Sequence, residues 1–146
     1  MRILFVDAGN YCRSPAAEAV ARALAARAGR AADLVFASAG LKDKHAGGRA
    51  DPRTIAACTA RVYDLGDFRC REITPADYTD SALILAMDRD NLSDLELRRP
   101  PGNGTPIRLF LDDMDVPDPY YGGEEGFAVM MDLIELGAER LIGHAP

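Results

Sequence analysis

Four short apolar runs punctuate the chain: Ile3–Val6, Leu34–Ser38, Leu83–Met87 and Ile107–Leu111. Each is too short and too continuous for the face of an amphipathic helix, and reads as a buried strand. Helical patterns fall between and after them. Ser14 to Ala28 is rich in Ala, Glu and Arg, all strong helix formers. Asp51-Pro52 places a capping acid before a proline and predicts a helix to about Arg61. Thr74 to Tyr78 predicts a single turn, and Asp88 to Leu97 a helix stopped by Pro100-Pro101. From Gly123 to Ile142, Phe127, Met130, Met131, Ile134 and Leu141 recur at helical spacing. Strands alternating with helices predict a parallel sheet with right-handed crossovers. The expected fold is a single three-layer α/β domain over residues 1–146 with a four-stranded parallel sheet. Ligands in such folds sit at the carboxyl ends of strands. Asp7, Ser38, Asp88 and Asp112 are expected at that edge.

Composition narrows the class. With 146 residues, 48% hydrophobic and 27% charged, the chain can bury a core of ordinary size. The net charge of −6 argues against nucleic-acid or anionic-membrane binding. No apolar run is long enough to span a bilayer, and Met1 to Val6 is too short for a signal peptide's apolar region. Three cysteines, an odd number, suit a reduced cytoplasm, the expected location. Cys12, Cys58 and Cys70 lack the paired spacing of zinc ligands, so no metal site is expected.

The most informative segment joins the first strand to the first helix: Phe5-Val6-Asp7-Ala8-Gly9-Asn10-Tyr11-Cys12-Arg13-Ser14-Pro15. Gly9 and Asn10 tolerate left-handed backbone angles and let the loop curl with its N–H groups inward. Such a nest at a helix N-terminus binds oxyanions. Arg13 adds a planar fork for two phosphate oxygens. Ser14 is expected as N-cap, with Pro15 at the first helical position. The expected phosphate-binding residues are Ala8, Gly9, Asn10, Tyr11, Cys12, Arg13 and Ser14.

These residues resemble the phosphate loop of the low-molecular-weight protein tyrosine phosphatases. That pattern is Cys, five residues, Arg, then Ser or Thr. Gly9, Asn10, Cys12, Arg13, Ser14 and Pro15 fall in register, whereas Asp7 stands where the family has its nucleophilic cysteine. A second motif lies about a hundred residues on: Val116-Pro117-Asp118-Pro119-Tyr120-Tyr121-Gly122 resembles the family's acid loop. Weaker likenesses join them: Ser38-Ala39-Gly40, His45-Ala46-Gly47, Phe68-Arg69-Cys70-Arg71-Glu72-Ile73 and Ile84–Asp88. Lys44 stands where Trp is common, Phe68 where His is, and Tyr11 where a small aliphatic is.

The resemblance implies a mechanism that needs no cofactor. A cysteine thiolate attacks phosphorus, the arginine holds the equatorial oxygens, and an aspartic acid protonates the leaving phenolate. It assigns catalytic positions to Asp7, Arg13 and Asp118, and substrate contacts to Lys44, Tyr120 and Tyr121. Its implied ligands are phosphotyrosine proteins or small aryl phosphates, with inorganic phosphate as product. Asp113 and Asp115 are rival acids, and Asp118-Pro119 alone would be an ordinary turn. Asp88 is expected as a helix cap, Ser38 as a partner of Asn10 or simply a strand-end cap, and His45 at the site's mouth or simply on the surface. In the family the second loop cysteine can form a disulfide with the nucleophile. Here Cys12 lacks that partner and is expected as a buried thiol, with Cys58 in the core. His144 has no expected role.

Asp7 allows three accounts. It is an engineered replacement that leaves a phosphatase inert; or the chain is a natural pseudophosphatase that binds phosphorylated partners without hydrolysis; or Asp7 is itself a nucleophile. The last normally recruits Mg²⁺ through further acids, for which Asp112 and Asp113 are the candidates. The second meets electrostatic resistance, because an ionised Asp7 repels phosphate. A related loop also serves arsenate reductases, which relay a disulfide between nearby cysteines. Cys58 and Cys70, twelve residues apart across a helix end, are the only candidates for that relay.

Overall fold

Strand β1 (Arg2–Asp7) sits between two neighbours and carries the alternation that builds the layers. Its Ile3 and Phe5 face one core, and Leu4 and Val6 the other, as period-two side-chain geometry requires. The computed structural model describes residues 1–144; Ala145 and Pro146, and the side chain of His144, lie outside the described residues. In chain order the elements continue with α1 (Arg13–Arg27), β2 (Val35–Gly40), α2 (Pro52–Ala60) and α3 (Pro75–Asp80). They end with β3 (Leu83–Ala86), α4 (Arg89–Arg98), β4 (Ile107–Leu109) and α5 (Glu124–His144). The four strands form one all-parallel sheet in the order β2-β1-β3-β4. Phe5 stacks on Phe36 at 5.9 Å and meets the edge of Phe110 at 5.6 Å. Buried residues of α1 and α5 close that face. Tyr78 of α3 and Leu95 of α4 close the other.

All five members of the expected stripe on α5 are buried. Helix α5 approaches the sheet closely at Gly137, where a Cβ would lie 2.4 Å from the Phe110 ring. The turn expected at Thr74 is the start of α3, closed by a reciprocal cap between Thr74 and Asp77. Asp77 also accepts from Arg2 and, through two nitrogens, from Arg71. Burial opposes its ionisation, but these partners prevail and hold its pKa down at about 2.

Most boundaries shift by a residue or two from expectation, and three of the shifts bear on the site. Strand β4 ends at Leu109 rather than Leu111, because the chain turns there: Asp112 lies at φ 67° and its N–H reaches back to the Leu109 carbonyl. Ser38 lies inside β2 rather than after it. Helix α1 begins at Arg13, with Cys12 at the cap position, so Ser14 is not the N-cap and Pro15 is not the first helical residue. The reason is chemical: the Ser14 N–H is taken by the carboxylate of Asp7. Among the described residues, no helix is long and apolar enough to cross a membrane.

Candidate active site

The loop after β1 closes on the last residue of that strand. Asp7 is 2% exposed, and its two oxygens accept from the Asn10 N–H at 2.6 Å and the Ser14 N–H at 2.9 Å. Burial pushes its pKa above the ordinary carboxylate value; Arg13 and the two N–H groups oppose that shift without cancelling it.

Asn10 holds the curl. It lies at φ 56°, in the left-handed region that asparagine tolerates. Its side-chain amide donates to Ser14 Oγ at 2.9 Å and to Ser38 Oγ at 3.0 Å, and its carbonyl accepts from the Arg71 N–H at 2.9 Å. Ser38 then donates to the buried Glu18 at 2.8 Å. The expected Ser38–Asn10 contact is thus one link of a longer chain.

Gly40 is the tightest point of this arrangement. It pairs with Asp7 across β1 and β2, and a Cβ there would lie 2.6 Å from both the Asn10 nitrogen and the Gly9 carbonyl carbon. Backbone cannot retreat as a flexible side chain can. Gly40→Ala should therefore cost about 1–3 kcal/mol of stability, as overpacking does, and should displace the Asn10 amide resonance. Urea denaturation with a midpoint equal to the unsubstituted chain's would show that the loop has room.

Arg13, 2% exposed, stands beneath the opening. One terminal nitrogen donates to Asp88 at 2.7 Å and to the Val116 carbonyl at 2.9 Å; the other lies 3.5 Å from Asp118. Its Nε is buried without a hydrogen-bond partner among the described residues. Burial alone would lower its pKa, but the charges of Asp7, Asp118 and Asp88 and the Asp88 hydrogen bond raise it. Asp88 caps α4 as expected, accepting from the Asn91 N–H at 2.7 Å. Its grip on Arg13 was not legible in the sequence; the only available signal was its place at the carboxyl end of a strand.

The cavity above is about 160 Å³. Asp7, Ala8, Gly9, Cys12 and Arg13 line it from the loop, and Lys42, Lys44, Asp118, Tyr120 and Tyr121 from the sides. Tyr11 and His45 stack flat at 3.6 Å on its rim. Tyr121 packs edge-on against Tyr120 at 4.8 Å. Of the three candidate acids only Asp118 lines the cavity, while Asp115 pairs with Arg89. Asp112 pairs with Arg108 and is not among the residues that line the cavity. The Asp118 carboxylate also accepts from the Tyr120 N–H at 3.1 Å.

The three cysteines are free and buried, each against a different partner. Cys12 faces Asp51 at 3.7 Å, Cys58 faces Met131 at 3.9 Å, and Cys70 faces the Arg49 carbonyl at 3.5 Å. Burial pushes the Cys12 and Cys58 thiols up to about 12, and that of Cys70 to about 11. Such thiols are poor nucleophiles at neutral pH.

Comparison with known proteins agrees with this geometry. The sequence profile described as "Low molecular weight phosphotyrosine protein phosphatase" matches residues 2–145. A low molecular weight protein-tyrosine-phosphatase of Streptomyces coelicolor is 36% identical, over 97% of this chain and 91% of its own length. The crystal structure of a protein tyrosine phosphatase from Entamoeba histolytica, with Hepes in its active site, superposes with a TM-score of 0.92 at 37% identity. That match covers 97% of this chain and 94% of the other. YfkJ from Bacillus subtilis superposes at 0.91 with 34% identity, over 98% and 92%. The chain belongs to the low molecular weight phosphotyrosine protein phosphatase family.

Proposed function

We propose that this site is built to hydrolyse phosphotyrosine-type monoesters through a cysteinyl-phosphate at position 7, and that Asp7 leaves the chain as written inactive or strongly impaired. One observation carries the reading: the Asp7 carboxylate takes the Asn10 and Ser14 N–H groups for itself, in front of Arg13. The donors that would hold a phosphate oxygen or lower a thiol's pKa are committed to an internal anion. The Nε of Arg13, without a partner among the described residues, supports its role as the phosphate clamp. Asp118 is the general acid, and Tyr120 and Tyr121 wall the aryl ring. A cytoplasmic protein with reduced thiols fits the three free cysteines, and its partners are phosphotyrosine proteins or small aryl phosphates.

The rivals gain less support. A relay of the arsenate-reductase kind needs thiols that exchange, whereas each cysteine here is buried against its own partner. An aspartyl-phosphate route would recruit Asp112, which is paired with Arg108. A pure phosphate-binding module must overcome the charge on Asp7. Two unit charges about 4 Å apart repel by roughly 4 kcal/mol at an effective dielectric of about 20.

Affinity for a tetrahedral dianion tests the reading. Sulfate suits because it stays a dianion from weakly acid to weakly alkaline pH. Asp7→Ser should bind it about 100-fold or more tightly than the unsubstituted chain at neutral pH, by calorimetry. A raised acid pKa means that Asp7 loses its charge as pH falls through that value. The gap should therefore narrow on acidification. Equal affinities at neutral pH would overturn the reading.

A further inference from the structure

Of the chain's 17 lysines and arginines, Lys42 and Lys44 are the only lysines. Both are exposed, and both line the cavity mouth. The ion pairs of the described residues are made by arginines, and neither lysine takes part in one. Lys44 Nζ lies 5.6 Å from the centroid of Tyr120, the ring proposed as a wall for the substrate. Asp43, between them, is exposed and likewise forms no ion pair among the described residues, and Asp118 is turned to Arg13.

Resting on the phosphoester reading above, we propose that Lys42 and Lys44 select phosphotyrosyl peptides whose flanking residues are acidic. Lysine suits this better than arginine. Its ammonium is a compact charge on a flexible stem, able to follow carboxylates at variable positions. Arginine's planar fork is used instead inside the molecule, where Arg13 and Arg71 hold fixed carboxylates. The net charge of −6 opposes any acidic ligand at long range. At physiological salt that field is screened within about 8 Å, so the two ammonium groups at the mouth decide the contact. Exposed ion pairs contribute modestly, about 0.2–1 kcal/mol each, so two give a preference rather than an absolute requirement.

The test uses the Asp7→Ser chain and fluorescence anisotropy with three phosphotyrosyl peptides that differ only in flanks of Glu, Gln or Lys. The Glu peptide should bind about tenfold more tightly than the Gln peptide at low salt, and the Lys peptide most weakly. The ratio should fall toward one at about 0.5 M salt. Lys42→Gln with Lys44→Gln should cut it below about twofold, whereas the double arginine variant should keep most of it. Sulfate binding with no ordering among the peptides would overturn the proposal alone, as would an ordering that survives the double glutamine variant. Failure of Asp7→Ser to bind sulfate or any of the peptides would overturn the phosphoester reading and the proposal with it.

Discussion

Asp7→Cys should turn the chain into a metal-independent phosphatase. Hydrolysis of p-nitrophenyl phosphate should rise by at least about 10³-fold over the chain as written, the scale on which nucleophiles act. The physical basis is already in place. A thiol at position 7 would inherit the Asn10 and Ser14 N–H groups and the nearby Arg13 charge, which favour the thiolate. Activity should therefore persist below the pH at which an ordinary thiol ionises, about 8.5. Adding Arg13→Ala to that form should remove most of the gain, because the guanidinium stabilises charge on the equatorial oxygens. Rapid turnover by the unsubstituted chain would contradict this account. Stimulation by Mg²⁺ would then point to an aspartyl nucleophile.

In the same Asp7→Cys form, Asp118→Asn should slow phenyl phosphate hydrolysis by about 10²–10⁴-fold. A phenolate leaves with a pKa near 10 and needs a proton. Asp118 lines the cavity, and the proline after it disfavours helical backbone angles there. The loss should be much smaller for p-nitrophenyl phosphate, whose leaving group departs without a proton. Equal losses on both esters would mean that Asp118 only shapes its loop, through the hydrogen bond to Tyr120. Asp115, held by Arg89 in this structure, would then become the acid to test.

The apolar runs revealed β1 and β3 because a central parallel strand is buried on both faces and has no polar alternation to hide it, while the edge strands β2 and β4, partly exposed, still showed as apolar runs. Helices α1, α2, α4 and α5 were legible from formers, caps and spacing, within a few residues at their ends. What stayed hidden depends on contacts across the chain. Arg13 meets Asp88, 75 positions away, and the Val116 carbonyl, 103 away, which no local pattern encodes. The start of α1 was misplaced because Ser14 has a cap's chemistry, but its hydroxyl accepts from Asn10 and its N–H serves Asp7. Gly40 looked like an ordinary strand end; its need to lack a side chain appears only once β2 lies beside the loop. An aspartate in water has a pKa of about 3.9, and the sequence offers no reason to expect an upward shift at Asp7. Enclosure by the loop raises its pKa, and that enclosure exists only in the folded chain. Most of the residues that line the candidate site were legible, but its electrostatic balance was not.

The placement of both lysines at the cavity mouth also governs how the protein can be handled. Apart from the N-terminal amine, acylating reagents that attack amines have no targets except the rim of the pocket. Coupling the protein to a sensor surface through lysine would tether it by the face that must meet ligand, and lysine-directed dyes would crowd that opening. A reductive methylation that keeps the charge and adds little bulk would leave the electrostatics of the mouth intact. An acetylation would erase both charges at once, and so offers a chemical counterpart to the double glutamine variant without any change to the gene.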